Sequence, residues 1–224
     1  MGRVIGVLVL GLGGVAILLT LGIWQMQRLA WKEAILAEIT ARIAAAPVAL
    51  PAAPDPEVDR YLPVALDGRF DPAFVRVLVS QKGIGAGYRI IAALETAAGR
   101  RVLVDRGVIP VAATMPAATA DDLRVIGNLH WPDERDGFTP ENDLAGNLWF
   151  ARDVTALAAH LGAEPVLVIA REITPPEAAI TPLPVGIGNI PNDHLSYAIT
   201  WFSLAIVWLG MTLFLLWRIR RGLG

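Results

Sequence analysis

The sequence predicts an α+β membrane protein. Two transmembrane helices flank a mainly antiparallel β domain, barrel-like or sandwich, with one or two helices. Three observations carry this. Two long uncharged runs lie near the ends of the 224-residue chain. Every acidic residue falls between them. Apolar residues alternate with a period of two through much of the middle. Composition agrees: 54% of residues are hydrophobic, 18% are charged and the formal net charge is −2, with a mean hydropathy of +0.52. Such a chain is too apolar to be disordered. A sequence pI near 5.9 argues against a nucleic-acid partner. The absence of cysteine excludes disulfides, thiolate metal sites and covalent haem attachment.

The first run, Val4 to Ile23, holds 20 residues without a charge, and the second, Leu195 to Trp217, holds 23. Each is long enough to cross a hydrocarbon core, which takes about 20 helical residues. A core helix would need a polar face, and neither run has one. A cleaved signal peptide would need a small-x-small site, but the first run ends in Trp24-Gln25-Met26-Gln27-Arg28. Arg3 precedes the first run, and Arg218, Arg220 and Arg221 follow the second. The positive-inside rule therefore puts both ends in the cytoplasm. The 170 residues from Gln25 to His194 then lie on the opposite side, with 15 basic and 21 acidic side chains.

The expected organisation is an N-tail (1–3), a first span (4–24), a juxtamembrane helix (25–46), a proline-rich linker (47–60), a β-rich domain (61–185), a second span (191–217) and a basic tail (218–224). Leu29, Leu36, Ile39 and Ile43 continue the helical period, and Glu38 with Arg42 makes an i,i+4 pair. Pro47, Pro51, Pro54 and Pro56 stop that helix. Strands are expected at 61–70, 74–80, 88–94, 101–108 and 123–129, with turns at Asp71-Pro72, Gly83 to Gly87 and Ala98-Gly99. Trp131 to Gly146 reads as a long polar loop. A short strand is expected at 148–151 and another strand at 166–172. Between them, Asp153 caps a helix that Gly162 ends.

Enzyme signatures are missing: there is no HExxH, no P-loop and no GxSxG, and serine occurs only at 80, 196 and 203. Gly83-Ile84-Gly85-Ala86-Gly87 lacks dinucleotide spacing and reads as a strand-joining turn. Asp121-Asp122 and Asp133-Glu134 read as solvated loops. His130 and His160 have no neighbouring ligand at metal spacing and read as surface or structural. His194 differs, because it opens the second span after Asn189-Ile190-Pro191-Asn192-Asp193. Pro and Asn/Asp suit a helix start, and neutral imidazole is a metal ligand. His194, Tyr197, Trp201, Ala205 and Trp208 recur at steps of three and four, forming one stripe. A flat aromatic cofactor could lie there with His194 as axial ligand. An interfacial histidine with an aromatic belt accounts for the same residues, and the pattern alone does not choose. Trp24 and Arg28 share a face one turn apart at the same interface. Arg28 or Lys32 could pair with ligand carboxylates, haem propionates among them, or snorkel to lipid phosphates.

Several stretches resemble the surfeit locus protein 1 family (Shy-one in yeast). They are Gly22-Ile23-Trp24-Gln25 with Arg28, Leu29, Trp31 and Lys32; Gly87-Tyr88; Val102 to Pro110; Asn147-Leu148-Trp149-Phe150 with Asp153; and Ile190-Pro191-Asn192-Asp193-His194-Leu195-Ser196-Tyr197-Ala198-Ile199-Thr200-Trp201-Phe202. Departures are Ala86 for a usual proline, Ala92-Ala93 for Thr-Pro, Asp105 for asparagine and Val108 for tryptophan. The resemblance implies a non-enzymatic assembly factor for cytochrome c and related haem-copper oxidases. Such a factor would bind haem a and aid its insertion into the catalytic subunit. It implies His194 as the iron ligand, with Tyr197 and Trp201 lining the site and Trp24 and Arg28 completing it. Expected partners are the oxidase catalytic subunit, haem a synthase and membrane lipid. The expected location is a bacterial inner (plasma) membrane, with the central domain periplasmic. A cofactor-free membrane scaffold for oxidase subunits is the alternative. There, Gly2 and Gly6 with Gly11 and Gly14 would permit close helix contact.

Overall fold

The computed structural model describes residues 2–81, 85–114, 122–188 and 190–222. It divides into a helical unit (1–38 and 187–224) and a sheet unit (39–186).

Helix α1 runs without a break over Gly2–Ala44, and α3 spans His194–Arg221. Both are long and apolar enough to cross a membrane, and both leave most of their apolar side chains uncovered. Together they form the two candidate membrane helices that the charge-free runs predict.

The sheet unit holds β1 (Val48–Ala49), β2 (Pro63–Gln81), β3 (Gly85–Thr96), β4 (Arg101–Pro110), β5 (Leu123–Leu129), β6 (Leu148–Trp149), α2 (Val154–Leu161) and β7 (Glu164–Thr174). The strand order is β1-β2-β3-β4-β7-β5, and β5 pairs again with the first half of β2. The sheet therefore curls back through β2 in a barrel-like form. It is not a true barrel: β2 changes neighbours along its length, and three of the sheet's pairings, β1–β2, β2–β6 and β4–β7, are parallel. The linker expected at 47–60 contains β1.

The structure departs locally from the sequence reading, with a clear cause at Asp71-Pro72. Asp71-Pro72 does not reverse the chain, and β2 continues through it. The register moves from Phe70↔Leu94 to Phe74↔Ala92, so two extra residues bulge from β2. Proline has no N–H for the ladder and is tolerated at such a bulge. Asp71 accepts the Ala73 N–H at 2.9 Å, and Arg101 donates to it at 2.8 Å. The turn expected at Gly83 to Gly87 falls partly outside the described residues, while Gly85 to Gly87 already pair within β3. Arg42, expected beside Glu38, donates to the Val58 carbonyl.

Period-two strands sort their side chains onto two faces. Val64, Leu66, Phe70, Leu94, Val102, Val104, Val125 and Val168 fill the inside of the curled sheet. Val75, Val77, Ile91, Ala93, Leu103, Leu167 and Ile169 point the other way and pack against α2 through Leu157, Ala158 and Leu161. The α2 boundaries follow the predicted caps. Asp153 accepts the Ala156 N–H at 3.0 Å, and Gly162 adopts the left-handed conformation with φ 62°.

The stretch Asp105-Arg106-Gly107 is a second bulge: Ile90 pairs with Gly107, and Ile91 pairs with Asp105. At φ 127°, Gly107 takes a conformation that side chains resist, and a Cβ there would strike the Thr181 backbone. The extra residue, Arg106, is buried, pairs with Glu177 and lies 4.6 Å from the Phe70 ring centroid.

Candidate functional site

Within the helical unit, small residues set the distance between helices. Gly11, Gly22, Gln25 and Leu29 are the buried residues of α1, and Ala198, Ala205 and Thr212 are those of α3. A Cβ on Gly11 would collide with Thr212, one on Gly14 with the Trp208 indole and one on Gly22 with the Phe202 ring. Gly11 and Gly14 thus lie at the close contact that the glycine pattern suggests. Gly2 and Gly6 have open space around a Cβ, so they take no part in it. Gly22 is an addition that the pattern did not single out.

This packing brings together the polar pair Gln25 and His194. Asp193 precedes the first residue of α3 but makes no side-chain cap bond, and its carbonyl accepts the Tyr197 N–H at 3.1 Å. His194 is half-buried, and its Nδ1 lies 2.8 Å from Gln25 Oε1. With Oε1 accepting, Nδ1 carries the proton and Nε2 keeps its lone pair.

The stripe on α3 is split. Ala205 faces α1 and Trp208 rests on Gly14, whereas Tyr197, one turn from His194, is 56% exposed and Trp201 is half-buried. The uncovered part of the stripe is therefore Tyr197 with partly covered His194 and Trp201, not its whole length. On α1, Trp24 and Arg28 share a face as expected, with the guanidinium 5.9 Å from the Trp24 ring centroid and 5.0 Å from that of Trp31. That face is turned from the packed one, so the α1 residue bonded to His194 is Gln25 rather than Trp24 or Arg28. The signal for Gln25 was its spacing of three and four from Gly22 and Leu29. Among the described residues no group of three or more His, Asp or Glu side chains is placed to hold a bare metal ion. Axial ligation of a haem asks less: one imidazole nitrogen with a free lone pair beside apolar and aromatic surface. His194, Tyr197 and Trp201 fit that donor set.

The sheet unit contains a second polar constellation. Asp105 is fully buried and pairs with Arg89 and, at 3.4 Å, with Arg152. Arg152 also pairs with Glu134, which is therefore bonded rather than simply solvated as expected. Burial pushes the Glu134 carboxyl up, but the Arg152 hydrogen bonds and charge outweigh it and hold the group below its ordinary value. His130 stacks on Tyr61 with ring centroids 5.4 Å apart. Burial, then the charges of Arg152 and Arg60, lower its pKa to about 4. His160 lies edge-on to Trp149. Asp122 forms an exposed ion pair with Arg69 at 3.6 Å; Asp121 and Asn189 lie outside the described residues.

Comparison with known proteins gives one consistent answer. The SURF1 family model matches residues 12–206. Surfeit locus protein 1 of Homo sapiens is 30% identical over 211 residues, covering 83% of this chain and 69% of the human one. A SURF1-like protein of Monosiga brevicollis is 32% identical over 217 residues, covering 87% and 82%. A SURF1-like protein of Drosophila melanogaster is 31% identical over 215 residues, covering 83% and 69%. The matched region includes both Gln25 and His194, and on this evidence the chain belongs to the SURF1 family.

Proposed function

We propose that this protein assists assembly of a haem-copper (cytochrome c) oxidase by holding haem a at His194 and passing it to the catalytic subunit. The observation that carries this reading is the Gln25–His194 pair. With Oε1 accepting, it would leave Nε2 of half-buried His194 without its proton, one helical turn from exposed Tyr197 and two from half-buried Trp201. When bound, haem a would supply an iron that takes Nε2 as an axial ligand and a flat ring that packs on aromatic side chains. The protein acts in this reading by binding, not by catalysing a reaction, and haem a synthase is the donor.

Both helices would cross the membrane, with Arg3, Arg218, Arg220 and Arg221 on the cytoplasmic face and the sheet unit on the opposite, periplasmic face of a bacterial inner membrane. The test is complementation of a strain lacking this protein. Wild type should restore the haem a content of the oxidase catalytic subunit, and His194→Ala should not. Full restoration by His194→Ala would overturn the proposal.

A cofactor-free scaffold is a second reading. It is favoured by the apolar groove beside Gly11, lined by Val7, Leu10, Met211 and Phe214, which suits another apolar helix. It predicts that the oxidase subunit co-purifies equally with wild type and His194→Ala in cells that make no haem a.

A further inference from the structure

We infer that Gln25 is the positioning residue of the haem site: it fixes the tautomer and orientation of His194 so that Nε2 is the nitrogen presented to iron. This rests on the functional reading above and adds a residue to it. Three observations carry it.

The first is geometry. Gln25 Oε1 and His194 Nδ1 are 2.8 Å apart, although 169 residues separate them in sequence. An oxygen with no proton can only accept, so Nδ1 must donate. The ring cannot then use Nδ1 as a ligand without losing this bond. Nε2 is left with its lone pair, in the tautomer that is the minor one for a histidine side chain free in water.

The second is placement. Gln25 is a buried polar side chain on the packed face of α1, three residues after Gly22 and four before Leu29. A buried amide without a partner costs about 1–3 kcal/mol. The face is otherwise built of glycine and apolar residues, so a leucine would fill position 25 at least as well for packing alone. The amide is therefore explained by its bond to His194.

The third is rigidity. A ligand must be held in one orientation to bind iron well, and second partners of metal-bound histidines do this by hydrogen-bonding the other ring nitrogen. The collisions that a Cβ would cause at Gly22 with Phe202 and at Gly14 with Trp208 fix how α1 lies on α3. They therefore fix where Oε1 meets the ring.

The experiment compares wild type, Gln25→Leu and Gln25→Glu, each purified full length. Histidine ring ¹⁵N spectra of the haem-free proteins report the tautomer, with His194→Ala identifying one signal among the three histidines. Wild type should carry its proton on Nδ1. Gln25→Leu should move it to Nε2, and Gln25→Glu should keep it on Nδ1. Haem a retention should fall about 10-fold or more in Gln25→Leu, as for loss of a ligand's hydrogen-bonded partner. It should be rescued by Gln25→Glu, with a lower midpoint potential than wild type because a carboxylate makes the imidazole more basic. A wild-type proton on Nε2, or a Gln25→Leu variant with unchanged tautomer and haem retention, would overturn the inference. A tautomer that shifts as stated in a protein that never takes up haem would uphold the positioning bond and overturn the haem reading instead. The two failures are therefore distinguishable.

Discussion

The two units of this chain use apolar residues in opposite ways. In the helical unit Leu10 is 73% exposed and Ile206 72% exposed, and the buried positions are glycine, alanine, threonine, glutamine and one leucine. In the sheet unit Val64, Ile91, Leu94 and Leu103 are fully buried, and the buried charges Asp105 and Arg106 are paired. The difference teaches what each unit needs for specificity. In a membrane, lipid would offer large side chains a solvent as good as a protein interior, so two such helices would associate through small residues and a polar pair. Water drives valine and isoleucine into a core, so the sheet unit is specified by packing, with ion pairs fixing its bulges.

Substitutions that ask each unit to break the other's rule sharpen this contrast. The largest effect is expected at Asp105. Asp105→Ala leaves Arg89 and Arg152 without their shared buried carboxylate, and should destabilise the sheet unit by about 3–5 kcal/mol in urea unfolding. A loss under 1 kcal/mol would show that the pairing contributes little.

His130 comes next. Its folded pKa of about 4 lies below the ordinary 6.5, so the unfolded chain binds the proton first. The stability tied to the neutral ring is complete above pH 6.5 and is lost as pH falls from 6.5 towards 4. The loss is at most about 3 kcal/mol. His130→Phe keeps a ring for Tyr61 to stack on and should remove that slope. An unchanged slope would assign it to other groups.

In the helical unit, Gly11→Leu should cost about 1–3 kcal/mol of thermal stability in detergent, because the side chain must displace Thr212. Gly13→Leu, two positions away with open space around it, should be neutral or stabilising by about 0.5–1 kcal/mol. Equal effects at the two sites would dissolve the small-residue account. The smallest change is Arg69→Ala, which removes an exposed ion pair and should cost under about 1 kcal/mol in the same urea unfolding. A larger loss would give surface charge more weight in the sheet unit than its core allows.

Much of this was legible in the sequence because the signals are local. Charge-free runs mark α1 and α3, and Asp153 and Gly162 mark the two ends of α2. The rest depends on distant partners. Asp71-Pro72 carries the same local chemistry whether it reverses the chain or bulges it, and only pairing with β3 decides. Asp105 looks like an intruder in an apolar strand until Arg89, 16 residues away, and Arg152, 47 residues away, reach it. His194 stood out by its place at a helix start. Its partner did not, because Gln25 acquires meaning only when α1 lies against α3.

The central claim, haem held at His194, is tested most directly by titrating haem a into the purified full-length protein and following the absorbance spectrum. The account predicts saturation near one equivalent with a histidine-ligated spectrum in wild type, and loss of that spectrum in His194→Ala. Identical titrations of the two proteins, or no saturable binding by wild type, would contradict it.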